Sequence, residues 1–142
     1  MRRAMNGVFV HIVWATWDRA PLLIDDLQTQ AYRVIGAKCA ELGASVLAIG
    51  GITDHIHLLV QLSATLSVAA LVKEVKGASG HLLAKQAMAG DTFFKWQGAY
   101  GAFSVSPHEL DMISSYIKRQ EEHHAQQDTM PEWELPPNGM ER

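Results

Sequence analysis

Ala44-Ser-Val-Leu-Ala-Ile-Gly50-Gly51-Ile-Thr-Asp54-His55-Ile-His57-Leu-Leu-Val60-Gln-Leu62 is the stretch from which the fold is read. Residues 44–50 form a short apolar run that reads as a strand, and Gly50-Gly51 breaks it. Residues 54–62 read as a second strand, so the two make an antiparallel hairpin. Strand side chains alternate between faces. His55 and His57 therefore project together, while Ile56, Leu58 and Val60 supply an apolar back. A lone hairpin is not stable in water, so its partners must lie to either side.

Upstream, residues 8–16 (VFVHIVWAT) are rich in β-branched and aromatic side chains and read as a strand. Asp25 and Asp26 are candidate helix-start residues. Leu27, Ala31, Val34, Ile35, Cys39 and Leu42 recur at helical spacing, closed by Gly43. Downstream, Thr65 or Ser67 can cap a helix over about residues 68–88, stopped by Gly90. Phe93–Trp96 is an aromatic patch, and residues 98–106 read as a Gly-containing strand. Ser106 caps a last helix, with Pro107 in its favoured first position, running to about residue 124. The order βαββαβ plus a helix predicts an α+β, ferredoxin-like antiparallel sheet. That reading gives one domain over residues 1–128. An extended, acidic tail is expected over residues 129–142.

The bulk numbers are permissive. At 142 residues the chain can bury a core as one domain. A net charge of −3 argues mildly against a nucleic-acid partner. However, six of the fifteen acidic residues fall at or beyond Glu121, against only Arg142 of the twelve basic ones. The first 120 residues thus carry eleven basic and nine acidic residues, a net of +2. The single Cys39 excludes an internal disulfide or a CxxC metal site. No apolar stretch is long enough to span a bilayer, and no leader pattern follows Met1-Arg2-Arg3. A cytoplasmic location is the expectation.

Three patterns could carry chemistry. Two imidazoles on one strand face, His55 and His57, make half of a metal site. Tyr116 and Gln120 share one helix face at i and i+4. A Gln carbonyl can complete a metal site, and a Tyr hydroxyl can attack phosphorus. Phe93-Phe94-Lys95-Trp96-Gln97-Gly98-Ala99-Tyr100-Gly101 interleaves aromatics with small and basic residues, as a base-stacking surface would. Lys73, Lys76 and Lys85 place positive charge along the second helix, and Trp14, Trp17 and Arg19 could line a groove. Each has a plainer reading alone: surface histidines, a packed tyrosine, core aromatics, a solvated helix face. His123 and His124 read as solvated.

Taken in order, five segments resemble the single-tyrosine HUH transposases, which move insertion sequences as single-stranded DNA. They are His11-Ile-Val-Trp14-Ala-Thr16 with Arg19; Asp54-His55-Ile-His57-Leu-Leu-Val; Leu71-Val-Lys73-Glu-Val-Lys76-Gly77; Trp96-Gln97-Gly98-Ala-Tyr100-Gly-Ala-Phe-Ser-Val; and Tyr116-Ile-Lys-Arg-Gln120-Glu-Glu-His-His124. Trp17-Asp18 departs from the family, where a basic residue commonly precedes the arginine.

The resemblance implies that Tyr116 is the nucleophile. It makes His55, His57 and Gln120 the ligands of a divalent metal, Mg²⁺ or Mn²⁺. It also implies single-stranded, hairpin-forming DNA as substrate and a homodimer as the assembly. Arg19, Lys73, Lys76, Trp96 and Tyr100 are the candidate DNA contacts. The alternatives are a domesticated relative acting on host repeat hairpins, a noncatalytic nucleic-acid-binding module, and a metal hydrolase that activates water.

Overall fold

A computed structural model describes residues 7–127 and 129–134. Four strands, β1 (Phe9–Thr16), β2 (Ser45–Ile52), β3 (His55–Gln61) and β4 (Trp96–Val105), form one sheet in the order β2-β3-β1-β4. Every neighbouring pair is antiparallel. Helices α1 (Asp26–Leu42) and α2 (Val68–Ala89) fill the two crossovers and pack on each other. This is the ferredoxin-like βαββαβ arrangement read from the sequence, with helices added after β4.

Period-two alternation gives the sheet two unlike faces. Ile12 and Trp14 of β1 and Ile56, Leu58 and Val60 of β3 join Ile35, Cys39, Leu71, Val75 and Leu83 of α1 and α2 in the main core. The opposite face carries His11, His55 and His57, with a smaller apolar cluster of Ala48, Leu59, Val105, Ile113 and Ile117. That cluster docks α3 (Leu110–Lys118), the helix bearing Tyr116, across β2 and β3.

Gly50 and Gly51 do not break β2, which continues through them to Ile52 and turns at Thr53-Asp54. Their role is close approach. A Cβ on Gly50 would lie 2.2 Å from the Ile117 carbonyl oxygen, and one on Gly51 2.1 Å from the His55 carbonyl oxygen. Only a residue without a side chain lets α3 settle onto the strand beside His57, its partner in register with Gly50.

The last helix is not continuous either. Ser106 and Glu109 close a capping box over a 3-10 turn, Pro107–Glu109, which leads into α3. Arg119 (φ −112°, ψ 31°) then interrupts the helix before α4 (Gln120–Gln126). β4 starts at Trp96, two residues earlier than the sequence suggests, and so takes in part of the aromatic patch. Residues 129–134 are not extended away from the body. They form a 3-10 turn, Pro131–Trp133, and Trp133 packs on the smaller cluster. Residue 128 and residues 135–142 of the expected tail lie outside the described residues. No helix among the described residues is long and apolar enough to cross a membrane.

Candidate active site

β3 fixes the two histidines. Both are buried, at 1% and 0% exposure, on a strand paired on both sides. Each has its Nδ1 held by an outer partner, which aims Nε2 inward. His55 Nδ1 lies 2.7 Å from Asp54 Oδ1, and His57 Nδ1 lies 2.8 Å from His11 Nε2. The two Nε2 atoms meet at one oxygen: Glu134 Oε1 is 3.2 Å from each.

α3 brings Tyr116 to the same place, its ring edge-on to His57 with centroids 5.9 Å apart. The Tyr116 hydroxyl donates to Glu134 Oε2 and accepts from the Met130 backbone N–H at 3.0 Å. One carboxylate therefore bridges the phenol and both imidazoles. Gln120 is also buried despite the helix interruption, with Oε1 3.1 Å from both His55 Nε2 and His124 Nε2. His55, His57, Gln120 and Tyr116 are thus gathered into one centre.

Electrostatics follow from this packing. Burial disfavours the charged form of His55, but the Asp54 and Glu134 carboxylates outweigh it and lift its pKa to about 9. Burial keeps His57 below its ordinary value. Its neutral ring, donating from Nε2 to Glu134, accepts at Nδ1 from His11. Burial and His57 hold His11 down to about 3, and its Nδ1 is buried without a hydrogen-bond partner. Glu134 opposes its own burial through the His55 and His57 hydrogen bonds and stays ionised far below the usual carboxylate range. Burial and that carboxylate push the Tyr116 phenol up to about 12.

The donor set suits a divalent cation. Two imidazole nitrogens, an amide oxygen and a carboxylate oxygen are the ligands that Mn²⁺ and Mg²⁺ accept. His55 Nε2 lies 3.1 Å from Gln120 Oε1, and both imidazole Nε2 atoms lie 3.2 Å from Glu134 Oε1, so these donor atoms are close enough to share one cation. His55, His124 and Glu134 offer ligand atoms within 4.8 Å of one another. With Nε2 turned to a cation, His57 would donate from Nδ1 to His11, a reversal that the His11 imidazole accommodates.

The expected DNA contacts divide. Arg19, held at φ 50°, sits at the site end of the sheet, its Nε 3.9 Å from Asp54 Oδ2. Trp96 is buried against Trp14 and Phe94, and its indole donates to Ser79 Oγ at 3.0 Å. It is a core residue and cannot stack a base. Tyr100 pairs with Trp14 and so lies on the face covered by α1 and α2, although its ring is exposed at the sheet edge. Lys76, half-buried, donates to the Gln97 and Ala99 carbonyls of edge strand β4. Lys73 is exposed on α2. These four do not join the site.

Four site residues escaped the reading of the sequence. His124, placed with the solvated residues, falls four positions after Gln120, so helical spacing was a usable signal. His11 lies on the site face of β1, which needs the β1–β3 register to recognise. Asp54 adjoins His55 in sequence. Glu134 carries no local signal at all.

The same fold and sequence pattern recur in known proteins. The family described as "Transposase IS200 like" matches residues 4–120. The chain is 24% identical over 116 residues to the ISDra2 transposase TnpA of Deinococcus radiodurans, covering 78% of this chain and 81% of that one. A crystal structure from Deinococcus radiodurans R1, described as a candidate transposase, superposes with a TM-score of 0.67 at 23% identity. It covers 84% of this chain and 96% of the other. A REP-associated tyrosine transposase bound to a REP hairpin superposes with a TM-score of 0.63 at 12% identity, over 91% of this chain and 74% of that one. These two likenesses are of fold. With the family matched over most of its length, the chain belongs to the IS200-like, single-tyrosine HUH transposases.

Proposed function

We propose that this transposase cuts single-stranded DNA by attack of Tyr116 on a phosphodiester, aided by a divalent cation held by His55, His57 and Gln120. One observation carries the reading. A single carboxylate touches the Tyr116 hydroxyl and both histidine Nε2 atoms. A phosphate group has similar charge and reach, so it can touch the same three atoms.

The residues divide the work. His55 and His57, set by Asp54 and His11, and Gln120 position the cation. When bound, it neutralises charge on a nonbridging phosphate oxygen and orients the phosphorus. Tyr116, carried by α3 as it seats on Gly50, presents its hydroxyl beside His57. Its oxygen forms a bond to phosphorus as the bond from phosphorus to the 3′ oxygen breaks. The phenol gives up one proton and the departing 3′ oxygen gains one, leaving a 3′-hydroxyl and a 5′-phosphotyrosine. The phosphoester energy is conserved in that bond, so attack by another 3′-hydroxyl rejoins strands without a nucleotide cofactor. Arg19, at the same end of the sheet, can meet a neighbouring phosphate. Hairpin-forming element ends as substrate, action as a homodimer and a cytoplasmic location belong to the same reading.

The test is a denaturing gel of the protein with hairpin-bearing single-stranded DNA from its own genomic flanks and Mn²⁺. A covalent protein–DNA adduct is expected, absent with EDTA. In Tyr116→Phe it should fall by on the order of 10⁴ or more, as when a nucleophile is removed. Cut DNA without adduct would instead identify a water-activating hydrolase, and binding without cutting a recognition module.

A further inference from the structure

The geometry points to Glu134 as an additional protein ligand of the cation in the DNA-free protein, one that the scissile phosphate must displace. This rests on the reading of His55 and His57 as the cation's ligands. Glu134 is only 11% exposed, and Oε1 lies 3.2 Å from both Nε2 atoms and 3.6 Å from His124 Nε2. No other acidic side chain among the described residues is placed against both Nε2 atoms.

The segment carrying it is built into the site. Trp133 packs edge-on to Tyr116, with centroids 4.9 Å apart, and lies 6.2 Å from the His11 ring. The Met130 N–H donates to the Tyr116 hydroxyl. A carboxylate satisfies a hard divalent cation as phosphate oxygens do.

The same contacts are incompatible with attack. The Tyr116 hydroxyl donates a hydrogen bond to Glu134 Oε2, so its oxygen faces a carboxylate in place of phosphorus. A phosphate that displaces Glu134 puts phosphorus where the carboxylate stood and frees the Tyr116 hydroxyl. Glu134 is thus a ligand in waiting, strengthening cation binding without DNA and leaving once DNA arrives.

The experiment titrates Mn²⁺ against the full chain without DNA, reading free Mn²⁺ by electron paramagnetic resonance. It compares wild type, Glu134→Gln and Glu132→Gln, the last being an exposed carboxylate two residues away. Adduct formation with the hairpin strand is then measured at saturating Mn²⁺.

Glu134→Gln is expected to weaken Mn²⁺ binding about tenfold or more, the scale that even a ligand's outer partner contributes. Its adduct rate should equal or exceed wild type. Glu132→Gln should match wild type in both. Unchanged Mn²⁺ affinity in Glu134→Gln overturns the assignment. An adduct rate lost at saturating Mn²⁺ overturns displacement and makes Glu134 a participant in the chemistry. If no variant forms adduct but the affinity still falls, the ligand assignment stands and the nuclease reading fails.

Discussion

Leu58 and His57 are neighbours in β3, yet they face opposite sides of the sheet and answer to different demands. Leu58 is sealed with α1 and α2 in an apolar layer. His57 belongs to a layer of imidazoles, a phenol and a carboxylate, closed over by α3 and residues 129–134. Both side chains are fully buried. Burial therefore does not distinguish core from site here; the chemistry of the neighbours does. The helix-covered face gains about 1.5–3 kcal/mol for each fully buried large aliphatic side chain. The other face surrenders some of that gain to keep polar groups dry and aimed.

The contrast makes forecasts of decreasing size. Leu58→Ala should lower unfolding free energy by about 2–5 kcal/mol in urea melts while sparing Mn²⁺ affinity in the folded fraction. His57→Ala should do the reverse, losing Mn²⁺ binding with the smaller stability change. Equal destabilisation by the two would erase the distinction between faces.

Gly50→Ala probes the seam between them. Its Cβ meets backbone, not a flexible side chain, so α3 must move and carry Tyr116 with it. A displacement near 1 Å should slow adduct formation about 10²-fold. An unchanged rate would mean that the α3 contact does not set the nucleophile's position.

Ser79→Ala acts wholly on the helix-covered face. It leaves the Trp96 indole N–H, 3.0 Å from Ser79 Oγ, without its acceptor. The expected loss is about 1–3 kcal/mol of stability at unaltered adduct rate. A slowed rate would tie Trp96 to the DNA after all.

Much of this was legible in the sequence, for physical reasons. Alternation in β3 follows from backbone geometry, so His55-Ile-His57 alone placed both imidazoles on one face. The four-residue spacing of Tyr116 and Gln120 placed them together even though Arg119 interrupts the helix, because α4 resumes at once. What could not be read depends on register or on distant chain. Tyr100 was expected to face DNA, but its pairing with Trp14 turns it to the helix-covered side. Trp96 has the composition of a stacking residue and the surroundings of a core one. Gly50-Gly51 resembles a break because composition cannot tell a turn glycine from one thinned to admit a neighbouring carbonyl. Glu134 lies 77 residues from His57, in a Pro/Glu-rich stretch that suggests solvation.

Glu134 follows Tyr116 by 18 residues on the same chain. It meets the site as a tethered competitor, whose effective concentration for short flexible links is in the millimolar range. Dilution cannot remove it, and a stray phosphate at lower concentration gains little against it. A DNA strand must draw affinity from contacts beyond the phosphate being cut. The apparent dissociation constant of any strand is its intrinsic value divided by the fraction of time the carboxylate is away. Short or poorly matched strands would be filtered out by mass action before any bond is touched.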